Sequence, residues 1–147
     1  MQIFVSDKGF VYVILMKTKG EFPEALKFFC KVIWVPVALI MDPSGEQSSK
    51  AVKKFCNEIG NTLRWLEETT QWDKLADKYI GLTKESVRKD MRYSDSPMVL
   101  WDYCAERRVR INNLTARKLF QLQGQNPYMV TMGEEGDISN ICMFKWF

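Results

Sequence analysis

Apolar and polar positions alternate through "QIFVSDKGFVYVILM", Gln2 to Met16, as two β-rich runs on either side of "SDKG". The pattern predicts a hairpin, with Gly9 supplying the positive φ of a tight turn. "MKTKGE" leaves the sheet. The period then lengthens. In "GEFPEALKFFCKVI" Phe22, Leu26 and Phe29 share one face, Ile33 lies a turn beyond, and Pro23 suits a first turn, so a helix is expected. "VPVALIM" reads as a strand too apolar to have a wet face, with helices expected on both sides of it. "SSKAVKKFCNEIG" predicts a second helix. Ser48 or Ser49 caps it, Val52, Phe55, Cys56 and Ile59 form its stripe, and Gly60 ends it.

"NTLRWLEE" is expected as a short strand and "TTQWDK" as a loop. "LADKYIGLTKESVRKDM" predicts a long helix over 75–91. "SPMVLWDYCAERRVRINN" predicts another, capped by Ser96 with Pro97 at its first position. The tail from Thr115 has weak periodicity and clustered turn residues, and is expected to be irregular. The order strand, strand, helix, strand, helix, strand, helix, helix points to an α/β fold, a mixed sheet flanked by helices.

At 147 residues one domain is expected, residues 1–114, with 115–147 as its extension. Hydrophobic content of 46% supports a core. The longest apolar runs fall far short of the ~20 residues a membrane span needs, so no membrane partner is expected. Met1 leads straight into an expected strand, so no signal peptide is expected. The sequence has no His and no CxxC, which excludes Cys/His zinc sites and Ser-His-Asp or Cys-His catalysis. The four cysteines read as reduced, packed thiols of a cytoplasmic or nuclear protein. Any chemistry must come from carboxylates, metals, Lys or Tyr. The net charge of +3 is mild, but "KESVRKDMR" and "ERRVR" concentrate basic residues in the second half. Such runs are solvated helix faces or phosphate contacts.

Asp42 ends the apolar run in "LIMDPSGEQSS". Asp, Pro, Ser and Gly are ordinary turn residues, and Asp42 reads as one of them. It also stands where α/β proteins place ligands, at the carboxyl end of a strand. On the predicted helix 75–91, Asp77 falls in the first turn, where the helix dipole alone favours a carboxylate. Gly81, Lys84, Arg88 and Arg92 follow it on one face, beside a more apolar face of Ala76, Ile80, Thr83, Val87 and Met91. Two carboxylates near a strand end suit Mg2+ or Mn2+, and a pair of such ions would serve phosphoryl transfer.

"MDPSGEQSSKAVKKFCNEIG" followed by "LADKYIGLTKESVRKDM" resembles the integrase core of copia-type LTR retrotransposons and, by extension, of retroviral integrases. "VSDKGFVYVILMKTKGE" is similar to that family's second and third strands and the "K-S-K-x-E" after them. "WDYCAERRVRINNLT" and "QNPYMVTMGEEGDISNICMF" resemble its later segments. The resemblance covers nearly the whole chain in order. It implies a ribonuclease H-like fold, DNA as partner, a homo-oligomer, and metal-dependent DNA strand transfer with Mg2+ or Mn2+. Position by position it makes Asp42 the second catalytic Asp, puts Asp77 in place of the catalytic Glu, and makes both metal ligands. Lys84 matches a DNA-contacting position, and Arg88 and Arg92 extend it.

The departures are specific. Asp77 is one methylene shorter than Glu. "TTQWDK" lacks the Pro and Gly residues common there, and Lys145 replaces a Gly. The family's first strand, with its first catalytic Asp, precedes "QIFV", so the chain is expected to be incomplete at its N-terminus and impaired. The alternative is a catalytically inactive remnant that binds nucleic acid or dimerises. In the implied sheet the missing strand lies between "QIFVS" and "VPVALIM". Three outcomes are expected: direct pairing of those two strands, a strand from another chain, or poor folding.

Overall fold

The structure, a computed structural model, describes residues 1–43, 45–66, 71–116 and 122–139, with the side chains of 71–75 excepted. The chain divides into two compact units, Met1–Gln2 with Ile14–Leu75, and Ile3–Val13 with Ala76–Phe147.

The first unit contains helix α1 (Phe22–Val32), strand β3 (Ala38–Met41), helix α2 (Lys50–Glu58) and strand β4 (Thr62–Trp65). Its core forms on the predicted periodicity, with Phe22, Leu26, Phe29, Val52 and Cys56 all buried. Pro23 occupies the first turn of α1, where its missing N–H costs nothing. Ser49 is the residue that caps α2, accepting from the Val52 N–H at 3.4 Å, and Gly60 takes the left-handed φ of 70° just past the helix end.

β3 and β4 pair in parallel, Ala38 opposite Thr62 through Met41 opposite Trp65. The Thr62 N–H to Val37 carbonyl bond and the Leu66 N–H to Met41 carbonyl bond extend the pairing at both ends. Helix α2 packs on α1 and on β4. The expectation that "VPVALIM" lacks a wet face is not met. Leu39 and Met41 are buried, but Ala38 is exposed and Ile40 is 41% exposed. Side chains alternate across a strand, so cover on one face leaves the alternate set open. The strand also starts late, because Pro36 has no N–H for a ladder.

The hairpin, β1 (Gln2–Val5) and β2 (Val11–Ile14), lies mostly in the second unit. Its turn closes through Ser6 N–H to the Phe10 carbonyl and Gly9 N–H to the Ser6 carbonyl, with Gly9 at φ 75° as expected. The mixed sheet expected from the sequence is realised as two separate two-stranded sheets, β1 with β2 and β3 with β4. Direct pairing of β1 with β3 is therefore not the outcome seen.

The outer edge of β2 is closed by a side chain. Asn113, only 6% exposed, receives the Val11 N–H on Oδ1 at 2.8 Å and donates from Nδ2 to the Val11 carbonyl at 2.7 Å. Backbone groups of successive strand residues point to opposite edges. Phe10 faces the hairpin turn and Val11 faces away from it. An amide side chain carries the same donor and acceptor pair as a peptide, so Asn113 stands in for one residue of a neighbouring strand.

Helix α3 (Gln71–Ser94) starts four residues before the predicted Leu75. Trp72 and Leu75 continue the spacing of Tyr79 and Thr83, which explains the longer helix. Of the expected loop "TTQWDK", Gln71–Lys74 are therefore helical, and Thr69 and Thr70 lie outside the described residues. The predicted helix from Ser96 opens instead as a 3-10 turn, Met98–Leu100, with Pro97 as its cap, and continues as α4 (Trp101–Leu114). In the tail, α5 (Pro127–Met132) packs on α4. Asn126 caps it by accepting the Met129 N–H at 2.8 Å, and Gly133 ends it at φ 77°. Lys145 and Cys142 lie outside the described residues.

Candidate functional site: an acidic strand end and a basic helix face

Asp42 follows the last residue of β3 directly. Because β3 and β4 run parallel, Asp42 stands off the carboxyl end of the pair, the end where helix-flanked parallel sheets bind ligands. Its side chain is exposed, and among the described residues it takes no hydrogen bond or ion pair. A carboxylate whose task is to close a turn accepts local backbone N–H groups. The turn that follows closes through Ser48 Oγ, which donates to the Gly45 carbonyl at 3.4 Å, and Ser49 N–H, which donates to the Glu46 carbonyl at 3.4 Å.

The Asp42 carboxylate opens into a cleft of about 400 Å³ in the first unit, lined also by Glu46, Gln47, Gln2, Lys17 and Lys19. Two carboxylates and two amide oxygens are the hard donors that Mg2+ and Mn2+ accept, with waters completing the shell. The donor chemistry fits such an ion. Among the described residues, however, no three of Asp, Glu or Cys converge as a metal cage. Glu46 was not singled out from the sequence as a site residue. Its spacing of four from Asp42 was the available signal.

Asp77, Lys84, Arg88 and Arg92 belong to the second unit, and Asp42 to the first. All four lie on α3 and are exposed, as is Gly81 between them. The opposite side of α3 buries Tyr79, Thr83, Val87 and Met91. The earlier helix start moves Asp77 out of the first turn, and the dipole, which falls off within that turn, no longer accounts for it. At 1.5 Å per residue, Lys84 to Arg92 spans about 12 Å. The neighbouring charges are engaged elsewhere. Lys89 pairs with Glu85 at 2.7 Å, raising the Lys89 pKa and lowering that of Glu85, and Arg108 reaches Asp90 at 3.8 Å. Lys84, Arg88 and Arg92 are exposed and have no ion pair among the described residues.

Three thiols lie among the described residues. Cys30, Cys56 and Cys104 are free. Burial raises the pKa of each, with Cys56 adding to the shift at Cys30. They are neutral, unreactive side chains at neutral pH. No helix among the described residues is long and apolar enough to cross a membrane.

No protein-family model and no curated protein matches the sequence. Solved structures do match. The HTLV-2 integrase catalytic core domain in complex with magnesium, in its trimeric form, is similar over 88% of this chain and 82% of its own, with a TM-score of 0.70 at 16% identity. The dimeric form of that core matches over 87% of this chain and 79% of its own, with a TM-score of 0.67 at 17% identity. The simian T-cell lymphotropic virus intasome, in complex with the PP2A regulatory subunit B56 gamma, matches over 88% of this chain and 46% of that one, with a TM-score of 0.72 at 14% identity. At these identities the likeness is one of fold. The chain has the α/β, ribonuclease H-like fold of an integrase catalytic core.

Proposed function

We propose that this chain is an integrase-type core of the copia-type LTR retrotransposon class, serving metal-dependent DNA strand transfer by inheritance. The observation that carries the reading is Asp42, a carboxylate unpaired among the described residues and placed off the carboxyl end of a parallel strand in a chain with this fold. Residues 1–114 are read as the core and 115–147 as its extension. Asp42 and Asp77 are the inherited catalytic and metal-binding acids, and Mg2+ or Mn2+ is the ion. When bound, such an ion polarises a phosphoryl oxygen and stabilises the leaving oxygen.

The chain's own residues supply positioning. Lys84, Arg88 and Arg92 hold a DNA backbone along α3, without reading sequence, because phosphates are the same at every base. Similar cores are described as dimeric and trimeric and one match is an intasome, which supports DNA and a second copy of this chain as partners. The same reading puts the chain in the cytoplasm or nucleus. One observation favours a second reading, an inactive DNA-binding core: Asp77 is a methylene shorter than the family's Glu.

Calorimetric titration with Mn2+ tests the acids. Weak binding is expected in the unsubstituted protein and weaker binding in Asp42→Asn. Identical isotherms would remove Asp42 from the site. A strand-transfer assay on duplex oligonucleotides separates the two readings. Product that disappears in Asp42→Asn supports the enzyme, and DNA binding without product supports the binder.

A further inference from the structure

We propose that Lys17 and Lys19 form a phosphate-holding wall facing the acids of the Asp42 cleft, so that the cleft takes a phosphodiester together with a divalent cation. The proposal rests on the functional reading above and adds a substrate-binding surface to it. Lys17, Lys19, Asp42 and Glu46 all line the one cleft in the first unit. Opposite charges sharing a cleft ordinarily close on each other. Here neither lysine forms an ion pair with either acid, or with any other described residue.

The reason lies in the backbone. The turn carrying the lysines is pinned by Glu21, whose Oε2 accepts the Lys17 N–H at 3.2 Å and whose Oε1 accepts both the Thr18 N–H and the Thr18 hydroxyl at 3.2 Å. The Glu21 carboxylate is thus consumed by the turn itself. Phe22, the next residue, is buried and anchors the turn to α1. Asp42 is fixed from the other side by the end of β3.

The outcome is a cleft lined by two positive and two negative groups that form no ion pair with one another. A bare anion meets the acids, and a bare cation meets the lysines. A ligand that carries both signs, a phosphodiester with its metal ion, complements both walls. Two lysines serve here as point charges, which suits phosphate contacts that need no bidentate geometry.

The test measures binding of a fluorescein-labelled duplex by anisotropy, between about 50 and 200 mM salt with Mn2+ present. Lys17→Glu/Lys19→Glu is expected to bind at least about tenfold more weakly, with a log–log salt slope shallower by about 2. A second measurement uses the unsubstituted protein and needs no variant to fold. DNA is expected to protect Lys17 and Lys19 from acetylation, read by mass spectrometry, while Lys27 on the exposed side of α1 stays reactive. If the unsubstituted protein binds no duplex at low salt, the functional reading falls and this wall falls with it. If DNA binds, Lys84→Glu/Arg88→Glu flattens the slope, and Lys17→Glu/Lys19→Glu changes neither slope nor affinity, the wall alone is overturned. Equal acetylation of Lys17, Lys19 and Lys27 in the complex overturns it too.

Discussion

Asn113→Leu is the most informative single change in this fold. Leu keeps the branched shape of Asn, in a bulkier form, but can neither donate nor accept. It leaves the Val11 N–H and carbonyl, now bonded at 2.8 and 2.7 Å, with no protein partner in a place where Val11 is 1% exposed. Each orphaned buried backbone group costs about 1–3 kcal/mol, so a loss of about 2–6 kcal/mol is expected. Against a typical total of about 5–15 kcal/mol, that is a large share of the fold's stability. Urea denaturation followed by circular dichroism measures it. Asn113→Asp adds a pH signature. The neutral carboxyl has one donor and one acceptor, like the amide, whereas the ionised form sets a charge against the Val11 carbonyl. Its pKa in the folded variant therefore rises above the ordinary ~3.9. The folded variant holds its proton more tightly, so its stability is greatest below about pH 4 and falls as pH climbs to the folded pKa. A loss under about 1 kcal/mol for Asn113→Leu, or a variant Asp whose deficit does not shrink in acid, would refute the strand-mimic account.

A Cβ at Gly136 would collide with Leu114 and come within 3.0 Å of Tyr128, so Gly136→Ala should cost about 1–3 kcal/mol in the same assay. Ser49→Ala removes the α2 cap and should cost about 0.5–1 kcal/mol, toward the low end because the bond is 3.4 Å long. Cys30 and Cys56, raised by burial, should label with a thiol reagent only as fast as the protein opens. Their folded pKa lies above the unfolded value, so stability should fall as pH rises past about 8.5, and a pH-independent melting temperature up to pH 10 would contradict this.

Local pattern carried the hairpin, α1 and α2, because their turn glycines, caps and periods lie within a few residues of the groups they satisfy. It misjudged β3, since an apolar run does not reveal how many neighbours a strand will have. Ile40 is open because only the Leu39 and Met41 face of the strand is covered. The start of α3 was placed late because "TTQWDK" is polar, although Trp72 already kept helical spacing. Helix α5 is six residues long, too short for a period to show, and its cap, Asn126, was the usable signal. Asp42, Lys84, Arg88 and Arg92 were legible as candidate residues because each belongs to a local pattern. Lys17, Lys19 and Asn113 were not, because their partners are brought to them only by the fold.

The Asn113–Val11 bridge joins residues 102 positions apart in the chain. A ribosome adds about 5–20 residues per second, so the hairpin waits roughly 5–20 seconds before its partner exists. During that interval the outer edge of β2 is a bare template for another strand. The residues from Ile14 to Leu75, which with Met1–Gln2 form a compact unit, lie wholly inside the interval. That unit has its sequence complete while α4 is still unmade, and its collapse shortens the loop that Asn113 must close. Free closure of a loop this long costs about 4 kcal/mol beyond the constant term. Birth order therefore favours an inside-out assembly, in which a hairpin made well before α4 is among the last elements to be secured, and its open edge is where the nascent chain most needs a chaperone.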